Sequence, residues 1–278
     1  MCDGCRPRTD ELRRTLIQPL QAIFSCDLTV LDRTMFLRGF MRQKWTRNLS
    51  LSLQTFRSCN QRRLHRTLAE CLTPLVDKCR HSSVVAVKVI RLHMGYVDRL
   101  LSDDPALTLI HLVRDPRGLV ESWRKVASRR VRRSMKQMRL NAKLICQRMT
   151  TDCRIRRQLE MKYPRRILLL RYEDLVAATG TVLDNVYSGL LQLTLPSNVD
   201  YVVNEQLRAT AANGPTGTLR TNGTATATGW RRTINSDLLA YITDTCRQLF
   251  VELNYNLQPS GLSAAAADDD NDTIYGGA

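Results

Sequence analysis

Three short apolar runs constrain the fold of this chain more than any other feature. Residues 84–90, 106–113 and 166–171 are rich in β-branched residues and leucine, and helical patterns separate them. A continuous apolar run of this length is typical of a strand that is buried on both faces. Strands that alternate with helices predict a parallel sheet with right-handed crossovers. We therefore expect a three-layer α/β fold in which these three strands are adjacent and parallel.

Helical periodicity marks the segments around these strands. Apolar residues recur at intervals of three and four over 12–24, 61–79 and 138–153, which predicts amphipathic helices. Near the end of the chain, Ser236 is placed to cap a closing helix that carries its apolar residues on one side. The sheet is thus expected to have helices before it, between its strands and after it.

Two stretches lack such periodicity. Residues 209–229 are rich in Thr, Ala and Gly and predict a long loop, and loops of this length are usually either functional or disordered. Residues 259–278 are dominated by Ala, Asp, Gly and Ser and predict a disordered acidic tail. A single domain over residues 1–258 followed by this tail is the organisation that we expect.

The charge of the chain indicates an anionic partner. Its 278 residues carry 42 Lys and Arg against 26 Asp and Glu, a net charge of +16. Nucleic acid, anionic lipid, a nucleotide cofactor and an acidic polysaccharide all satisfy this charge. The basic residues are densest over 124–139, which hold eight Lys or Arg and no acidic residue. This segment is either an anion-binding face or an ordinary solvated one.

Several classes of protein are excluded by what the sequence lacks. It has no apolar run of the length that a transmembrane helix needs, and its first residues mix acids with bases, unlike a signal peptide. Cys2 and Cys5 have no second pair of suitably spaced Cys or His, so no zinc site or other metal site is expected. No helix-turn-helix, zinc-finger or RNA-recognition pattern occurs, which argues against a nucleic-acid partner.

The residues that follow the second apolar run form the most informative motif. Arg114 leaves the end of the predicted strand, Pro116 interrupts the strand, and Ser122 lies about one turn into the next helix. Ligands of parallel sheets bind at the carboxyl ends of the strands. A guanidinium and a hydroxyl near a helix N-terminus suit a phosphate group. The alternative is that Arg114 and Asp115 merely pair across the turn.

This motif and its neighbours resemble a known family. Arg-Asp-Pro-Arg with a serine eight residues after the first arginine is similar to the 3′-phosphate-binding motif of sulfotransferases that use PAPS (3′-phosphoadenosine 5′-phosphosulfate). Residues 87–92 look like the Leu-Lys-Thr-Val-Arg-Leu strand of the Golgi carbohydrate 6-O-sulfotransferases, and 171–175 match their Arg-Tyr-Glu-Asp-Leu. Residues 218–220 with 230–231 resemble the C-terminal Thr-x-Arg and Trp-Arg of that family. Four blocks in the same order carry the resemblance.

The resemblance implies a role for each matched residue. Arg114 and Ser122 are expected to bind the 3′-phosphate of PAPS, and Tyr172 is expected to contact the adenine. Tyr172 could instead be a half-buried core residue, and Trp230 could simply anchor the last helix. The segment that closes over the cofactor is expected to include Arg220, Trp230 and Arg231.

Lys88 and Arg91 are the candidate catalytic residues. Lys88 is the only charged residue within the first apolar run, and an unpaired buried lysine is costly, so it is expected to face the site. Fixed cations offset the charge that develops on oxygen atoms during group transfer of this kind. The alternative places Lys88 at a sheet edge, where its amine reaches solvent. Glu173 and Asp174 are expected to cap the helix that follows them.

One block of the family is missing. No Arg-Thr/Ser-Gly-Ser-Ser sequence, which holds the 5′-phosphosulfate in the family, occurs in the chain. We therefore expect a P-loop-like sulfotransferase fold that lacks the first strand, this loop and the catalytic base that follows it. His93 and His111 are candidate substitute bases, although His111 lies in mid-strand, where a core residue is expected. Weak cofactor binding and little sulfate transfer follow from this expectation.

Two hypotheses of function remain from the sequence. The first is an enzyme that transfers sulfate from PAPS to a 6-hydroxyl of GlcNAc, Gal or GalNAc in an acidic glycan of the keratan sulfate or chondroitin type, in the Golgi lumen. The second is a catalytically impaired, truncated sulfotransferase-like protein that binds polyanions. The acceptor sugar, the cysteine pairing and the oligomeric state do not follow from the residues.

Overall fold

A computed structural model describes residues 13–32, 51–61, 67–90, 92–127, 134–207 and 221–257. The chain divides into two compact units, Met1–Asp104 and Pro105–Ala278. The predicted closing-loop residue Arg220, the candidate catalytic residue Arg91 and the predicted tail lie outside the described residues.

The first unit is helical in its described part. Its helices are α1 Gln18–Phe24, α2 Leu51–Gln61, α3 Leu68–Arg80 and α4 Val97–Asp103, with a π-helical turn at Arg13–Ile17 and 3-10 turns at Leu28–Val30 and Met94–Tyr96. Two disulfides, Cys26–Cys79 and Cys59–Cys71, link α3 to the segments before it. Phe56 and Leu72 are buried beside the second disulfide.

Helix α3 begins later than the periodicity predicts. Its start is set by a capping box: the Thr67 hydroxyl accepts from the Glu70 N–H, and the Glu70 carboxylate accepts from the Thr67 N–H at 2.7 Å. These two bonds satisfy donors that the first turn of a helix leaves unpaired. The single helix expected over 61–79 is therefore wrong, because α2 ends at Gln61 and α3 begins at Leu68.

The second unit places helices around a small parallel sheet. Its strands are β1 Leu109–Val113 and β2 Ile167–Arg171. Its helices are α5 Pro116–Val126, α6 Met135–Lys162, α7 Tyr172–Ala177, α8 Thr179–Asp184, α9 Val199–Leu207, α10 Gly223–Thr228, α11 Ser236–Thr245 and α12 Arg247–Glu252, with a π-helical turn at Asn185–Leu190 and a 3-10 turn at Gly229–Arg232. The strands pair in parallel, Leu109 with Ile167 and Val113 with Arg171.

The core of this unit lies among α5, α6, α11 and α12. It includes Val120, Met138, Ile242 and Phe250, which are all buried. A disulfide between Cys146 and Cys246 joins α6 to the end of α11. Strand β1 turns Val113 towards this core and leaves Ile110 and Leu112 exposed, so it is not buried on both faces as the sequence predicts. Helices plus a small parallel sheet are an α/β arrangement, as expected.

The first apolar run does not form the predicted strand. Residues 84–90 adopt neither helix nor strand, and Val84, Val89 and Ile90 are exposed. In the described part of the chain the sheet consists of β1 and β2 alone. A strand is stabilised by backbone hydrogen bonds to a neighbour, and an apolar composition does not supply that neighbour.

Two further expectations near the C-terminus need correction. Part of the loop predicted at 209–229 is helical, because the Asn222 side chain accepts from the Ala225 N–H at 2.8 Å and starts α10. Residues 209–220 of that loop lie outside the described residues. Asn235, not Ser236, caps α11, since its side-chain oxygen accepts from the N–H groups of residues 237 and 238. Among the described helices, none is long and apolar enough to cross a membrane.

Candidate functional site

The site is built on the turn between β1 and α5. Asp115 is the N-cap of α5 and accepts from the Arg117 N–H at 2.8 Å, while Pro116 occupies the first helical position, where no N–H is needed. The turn therefore leaves the strand and enters the helix within two residues. This fixes the direction in which Arg114, the last residue before the cap, leaves the strand.

Arg117 stabilises this turn through several contacts. Its side chain is 1% exposed and forms a forked ion pair with Asp115, with the closest N–O distance at 2.7 Å. It also donates to the carbonyls of Asn256 and Leu257, and its guanidinium packs over the rings of Trp230 and Phe250. Asp115 therefore pairs with Arg117, and no ion pair between Asp115 and Arg114 occurs among the described residues.

Arg114 lies in a different environment, although it belongs to the same motif. Its guanidinium lies 4.9 Å from the centre of the Tyr172 ring and donates to the Thr226 carbonyl at 3.1 Å. Its Nε is buried and has no hydrogen-bond partner among the described residues. Buried donors are rarely left unpaired, so this atom is a natural contact for an anion.

Gly118 allows these groups to approach one another. A Cβ atom at this position would lie 2.8 Å from Trp230 Cδ1 and 3.4 Å from Arg114 Nε. Any side chain would therefore separate the first turn of α5 from Trp230 and Arg114. Ser122 is half-buried and follows Gly118 by one turn on the same face of α5. The structure thus brings Arg114, Tyr172 and Trp230 together around the first turns of this helix.

The end of β2 supplies the second half of the site. Tyr172 is the first residue of α7, and Glu173 accepts from the Asp115 N–H at 3.1 Å and from the Tyr255 hydroxyl at 2.8 Å. Burial and the Glu173 carboxylate raise the pKa of Tyr255, which keeps it a phenol donor. Neither Glu173 nor Asp174 forms the capping hydrogen bond that the sequence predicts for α7. Asp174 instead pairs with Arg171 at 3.4 Å.

Trp230 and Arg231 close the other side. Trp230 is buried in the core, and the Arg231 guanidinium lies 4.9 Å from the centre of its ring. Arg231 Nε, like Arg114 Nε, is buried without a hydrogen-bond partner in the described part of the chain. The Thr233 hydroxyl fastens this segment to α5 by donating to Glu121 at 2.7 Å. Trp230 is thus a core anchor as well as a neighbour of Gly118.

Lys88 is in the other unit. It is exposed, within the irregular segment 84–90, and not inside a strand. The strand that was expected to carry Lys88 is thus absent among the described residues, and the prediction that Lys88 faces the site stays a prediction. Arg91, three residues after Lys88, lies outside the described residues.

The chemistry of the site in the second unit favours an anionic ligand. Two arginines with unpartnered Nε atoms and the start of a helix all favour negative charge. The aromatic ring of Tyr172 offers a flat apolar surface next to them. No cluster of three or more potential metal ligands occurs among the described side chains.

Comparison with known proteins decides the family. Residues 23–194, more than half of the chain, match the sulfotransferase family. The chain belongs to this family. The matched region contains Arg114, Ser122 and Tyr172, whereas Trp230 and Arg231 follow it. No solved structure matches the chain.

Several curated relatives of this chain are named carbohydrate sulfotransferases. The chain is 29% identical to human carbohydrate sulfotransferase 1 in an alignment of 207 positions that covers 68% of this chain and 49% of the relative. It is 28% identical to the mouse protein of the same name over the same shares. Mouse carbohydrate sulfotransferase 2 is 24% identical in an alignment of 216 positions that covers 64% of this chain and 41% of the relative. The chain spans about half the length of the curated relatives that it matches.

Sequence reasoning missed the residues that hold the site together. Arg117 and Glu173 stand inside the recognised motifs, but only their contacts show that both are fastened to residues 253–257. Tyr255 carries no local pattern that marks it as a partner of Glu173. Gly118 could have been found from the sequence, because a glycine inside a helix lowers its stability and is therefore expected where a neighbour leaves no room for a side chain.

Proposed function

We propose that this sulfotransferase transfers sulfate from PAPS to a 6-hydroxyl of GlcNAc, Gal or GalNAc in a glycan. Membership of the family supports sulfate transfer, and the names of the relatives support a carbohydrate acceptor. PAPS supplies the activated sulfuryl group for this reaction. The 6-hydroxyl follows from the resemblance of residues 87–92, 171–175 and 218–231 to the 6-O-sulfotransferases.

The observation that carries the proposal is the environment of Arg114. This guanidinium lies at the carboxyl end of β1, stacks on Tyr172 and keeps its buried Nε without a partner among the described residues. Arg114 and Ser122 would hold the 3′-phosphate of PAPS, with the N-terminal end of α5 adding a favourable dipole. A charge-assisted bond from a fixed arginine is among the stronger contacts that a protein offers to a phosphate.

The remaining cofactor contacts come from both sides of Arg114. Tyr172 would contact the adenine by its ring, which already packs against the Arg114 guanidinium. Trp230, Arg231 and Arg220 would belong to the segment that closes over the nucleotide. The unpartnered Nε of Arg231 supports this assignment, because it offers a second cation in the segment that Thr233 fastens to α5.

Lys88 and Arg91 would offset charge on the oxygens of the transferred group. This assignment rests on the resemblance of residues 87–92 to the strand of that family. The expectation of a P-loop-like fold that lacks the first strand and the 5′-phosphosulfate loop of the family stays a prediction. So does the single domain over 1–258.

The acceptor and the compartment follow from charge and redox chemistry. The net charge of +16 supports an acidic glycan such as keratan or chondroitin sulfate. The three disulfides support an oxidising compartment, and the Golgi lumen is the one that the resemblance implies.

The binding test compares two nucleotides that differ only in the 3′-phosphate. Affinities for adenosine 3′,5′-bisphosphate and adenosine 5′-phosphate are measured by calorimetry for the 278-residue chain. Arg114→Ala is expected to weaken bisphosphate binding about tenfold, since it removes a charged hydrogen bond, and to leave the monophosphate nearly unchanged. Arg154→Ala, an exposed position on α6, is the control of equal charge. Equal losses for both variants would contradict the 3′-phosphate assignment.

The activity test measures transfer of radiolabelled sulfate from PAPS to desulfated keratan and chondroitin, followed by linkage analysis of the product. Label at the 6-position that disappears in Arg114→Ala supports the proposal. A high rate would at the same time contradict the expectation that the missing loop limits transfer. Equal, salt-sensitive binding of heparin, DNA and the bisphosphate without any transfer would support a basic polyanion-binding surface instead.

A further inference from the structure

Glu173 bridges the two turns that form the site. One carboxylate oxygen accepts from the Asp115 N–H at 3.1 Å, and the other accepts from the Tyr255 hydroxyl at 2.8 Å. The Asp115 N–H belongs to the peptide unit that joins this residue to Arg114. Glu173 therefore fixes the backbone at the point where Arg114 leaves β1.

The same short segment contacts the Arg114 side chain. Tyr172, which precedes Glu173, carries its ring 4.9 Å from the Arg114 guanidinium. The backbone and the side chain of Arg114 are thus both held by adjacent residues at the end of β2. This arrangement leaves Arg114 few ways to move independently of Tyr172.

Tyr255 in turn fixes the carboxylate of Glu173. Tyr255 is buried, and its ring packs under the Arg171 guanidinium at 4.4 Å. Arg171 also donates to the carbonyls of Leu253 and Asn254, which hold the segment that carries Tyr255. The Tyr255 hydroxyl can therefore reach only a narrow range of positions, and it directs one oxygen of Glu173 towards itself and leaves the other for Asp115.

We infer that Glu173, oriented by Tyr255, is a positioning residue for the 3′-phosphate site. It acts through the Asp115 N–H by holding Arg114 in place beside Tyr172 and Trp230. This inference rests on the proposed function, because it assigns a consequence to the phosphate contact of Arg114. It predicts that Glu173 affects binding of the 3′-phosphate and not of the nucleotide in general.

The test uses the 3′-phosphate increment, defined as the ratio of the affinities for adenosine 3′,5′-bisphosphate and adenosine 5′-phosphate. Glu173→Ala is expected to lower this increment about tenfold, since it leaves Arg114 unsupported and the Asp115 N–H unpaired. Tyr255→Phe removes only the orienting donor, so a loss of about threefold is expected. The affinity for the monophosphate should stay within about twofold in both.

Glu173→Gln separates positioning from general stability. The amide keeps the shape of the carboxylate, and it can accept from the Asp115 N–H while donating to the Tyr255 oxygen. It is expected to retain the increment within about threefold. If Glu173→Ala does not fold, Tyr255→Phe and Glu173→Gln still test the inference. Asp174→Asn, a half-exposed neighbour with the same loss of charge, is the matched control and should leave the increment unchanged.

A double-mutant cycle with Arg114→Ala completes the test. If Glu173 acts through Arg114, Glu173→Ala adds little to the loss caused by Arg114→Ala. The inference is overturned if Glu173→Ala weakens both nucleotides equally, or if its effect adds in full to that of Arg114→Ala. A wild-type increment that Arg114→Ala does not change would instead contradict the proposed 3′-phosphate site itself.

Discussion

The runs at 84–90 and 106–113 are both short and mostly apolar, yet they differ in structure. The second forms β1, which pairs with β2 and ends in the turn that carries Arg114. The first stays irregular, with Ile90 72% exposed. The difference teaches that a β-branched run becomes a strand where a neighbour supplies hydrogen bonds and the residues after it are fastened. Four predictions of stability test this difference between the two segments.

The largest effect is expected at Arg117. Arg117→Ala leaves the buried carboxylate of Asp115 without its ion pair, which typically lowers the free energy of unfolding by about 3–5 kcal/mol. Urea denaturation followed by tryptophan fluorescence measures this loss. Arg154→Ala on the surface of α6 should change the same quantity by less than about 0.5 kcal/mol. Similar losses of unfolding free energy in the two variants would show that the turn after β1 is not what distinguishes this strand from the irregular segment.

A smaller effect is expected at Gly118. Gly118→Ala places a Cβ 2.8 Å from Trp230 Cδ1, and such overpacking costs about 1–3 kcal/mol of unfolding free energy. Gly180→Ala is the matched control, because a Cβ there meets no atom within 4 Å. In helix α8 that change should stabilise by about 0.5–1 kcal/mol. Gly118→Ala should also reduce the 3′-phosphate increment, and an unchanged increment would show that Trp230 can move aside.

His111, in β1, is expected to make the free energy of unfolding depend on pH. Burial lowers its pKa below the ordinary value of 6.5, and the nearby Asp152 offsets part of this effect. Since folding lowers the pKa, protonation favours the unfolded state. The stability that neutral His111 contributes is therefore complete above pH 6.5, and it is lost as the pH falls through the pKa of His111 in the folded state. The difference in unfolding free energy between wild type and His111→Gln, measured from pH 8 to 5, should narrow at the acidic end.

The smallest effect is expected in the irregular segment. Val89→Thr exchanges a methyl for a hydroxyl on an exposed side chain and should change the unfolding free energy by less than about 0.5 kcal/mol. Val113→Thr makes the same exchange in the buried end of β1 and should cost about 1–3 kcal/mol. Equal costs at both positions would mean that residues 84–90 are buried as a strand after all.

Local sequence was sufficient for the elements that depend on neighbouring residues. The runs at 106–113 and 166–171 contain β1 and β2, and the Arg114 to Ser122 motif lies at the strand-to-helix turn as predicted. The periodicity of 138–153 falls inside α6. Helix starts were missed by a few residues where a cap decided them, at Thr67 and Asn235, because a cap bonds to N–H groups that periodicity does not report.

The roles of Arg114 and Arg117 show what only the tertiary structure decided. Both belong to one motif, three residues apart, and no local pattern tells which is buried. Arg117 is buried because the carbonyls of Asn256 and Leu257 and the rings of Trp230 and Phe250 surround it, and all of these lie more than a hundred residues away. A guanidinium can leave water only where such partners replace the solvent. The sequence determined that this turn carries two arginines, and the packing of distant residues decided that Arg117 is the buried, ion-paired one while Arg114 keeps a buried Nε without a hydrogen-bond partner in the described part of the chain.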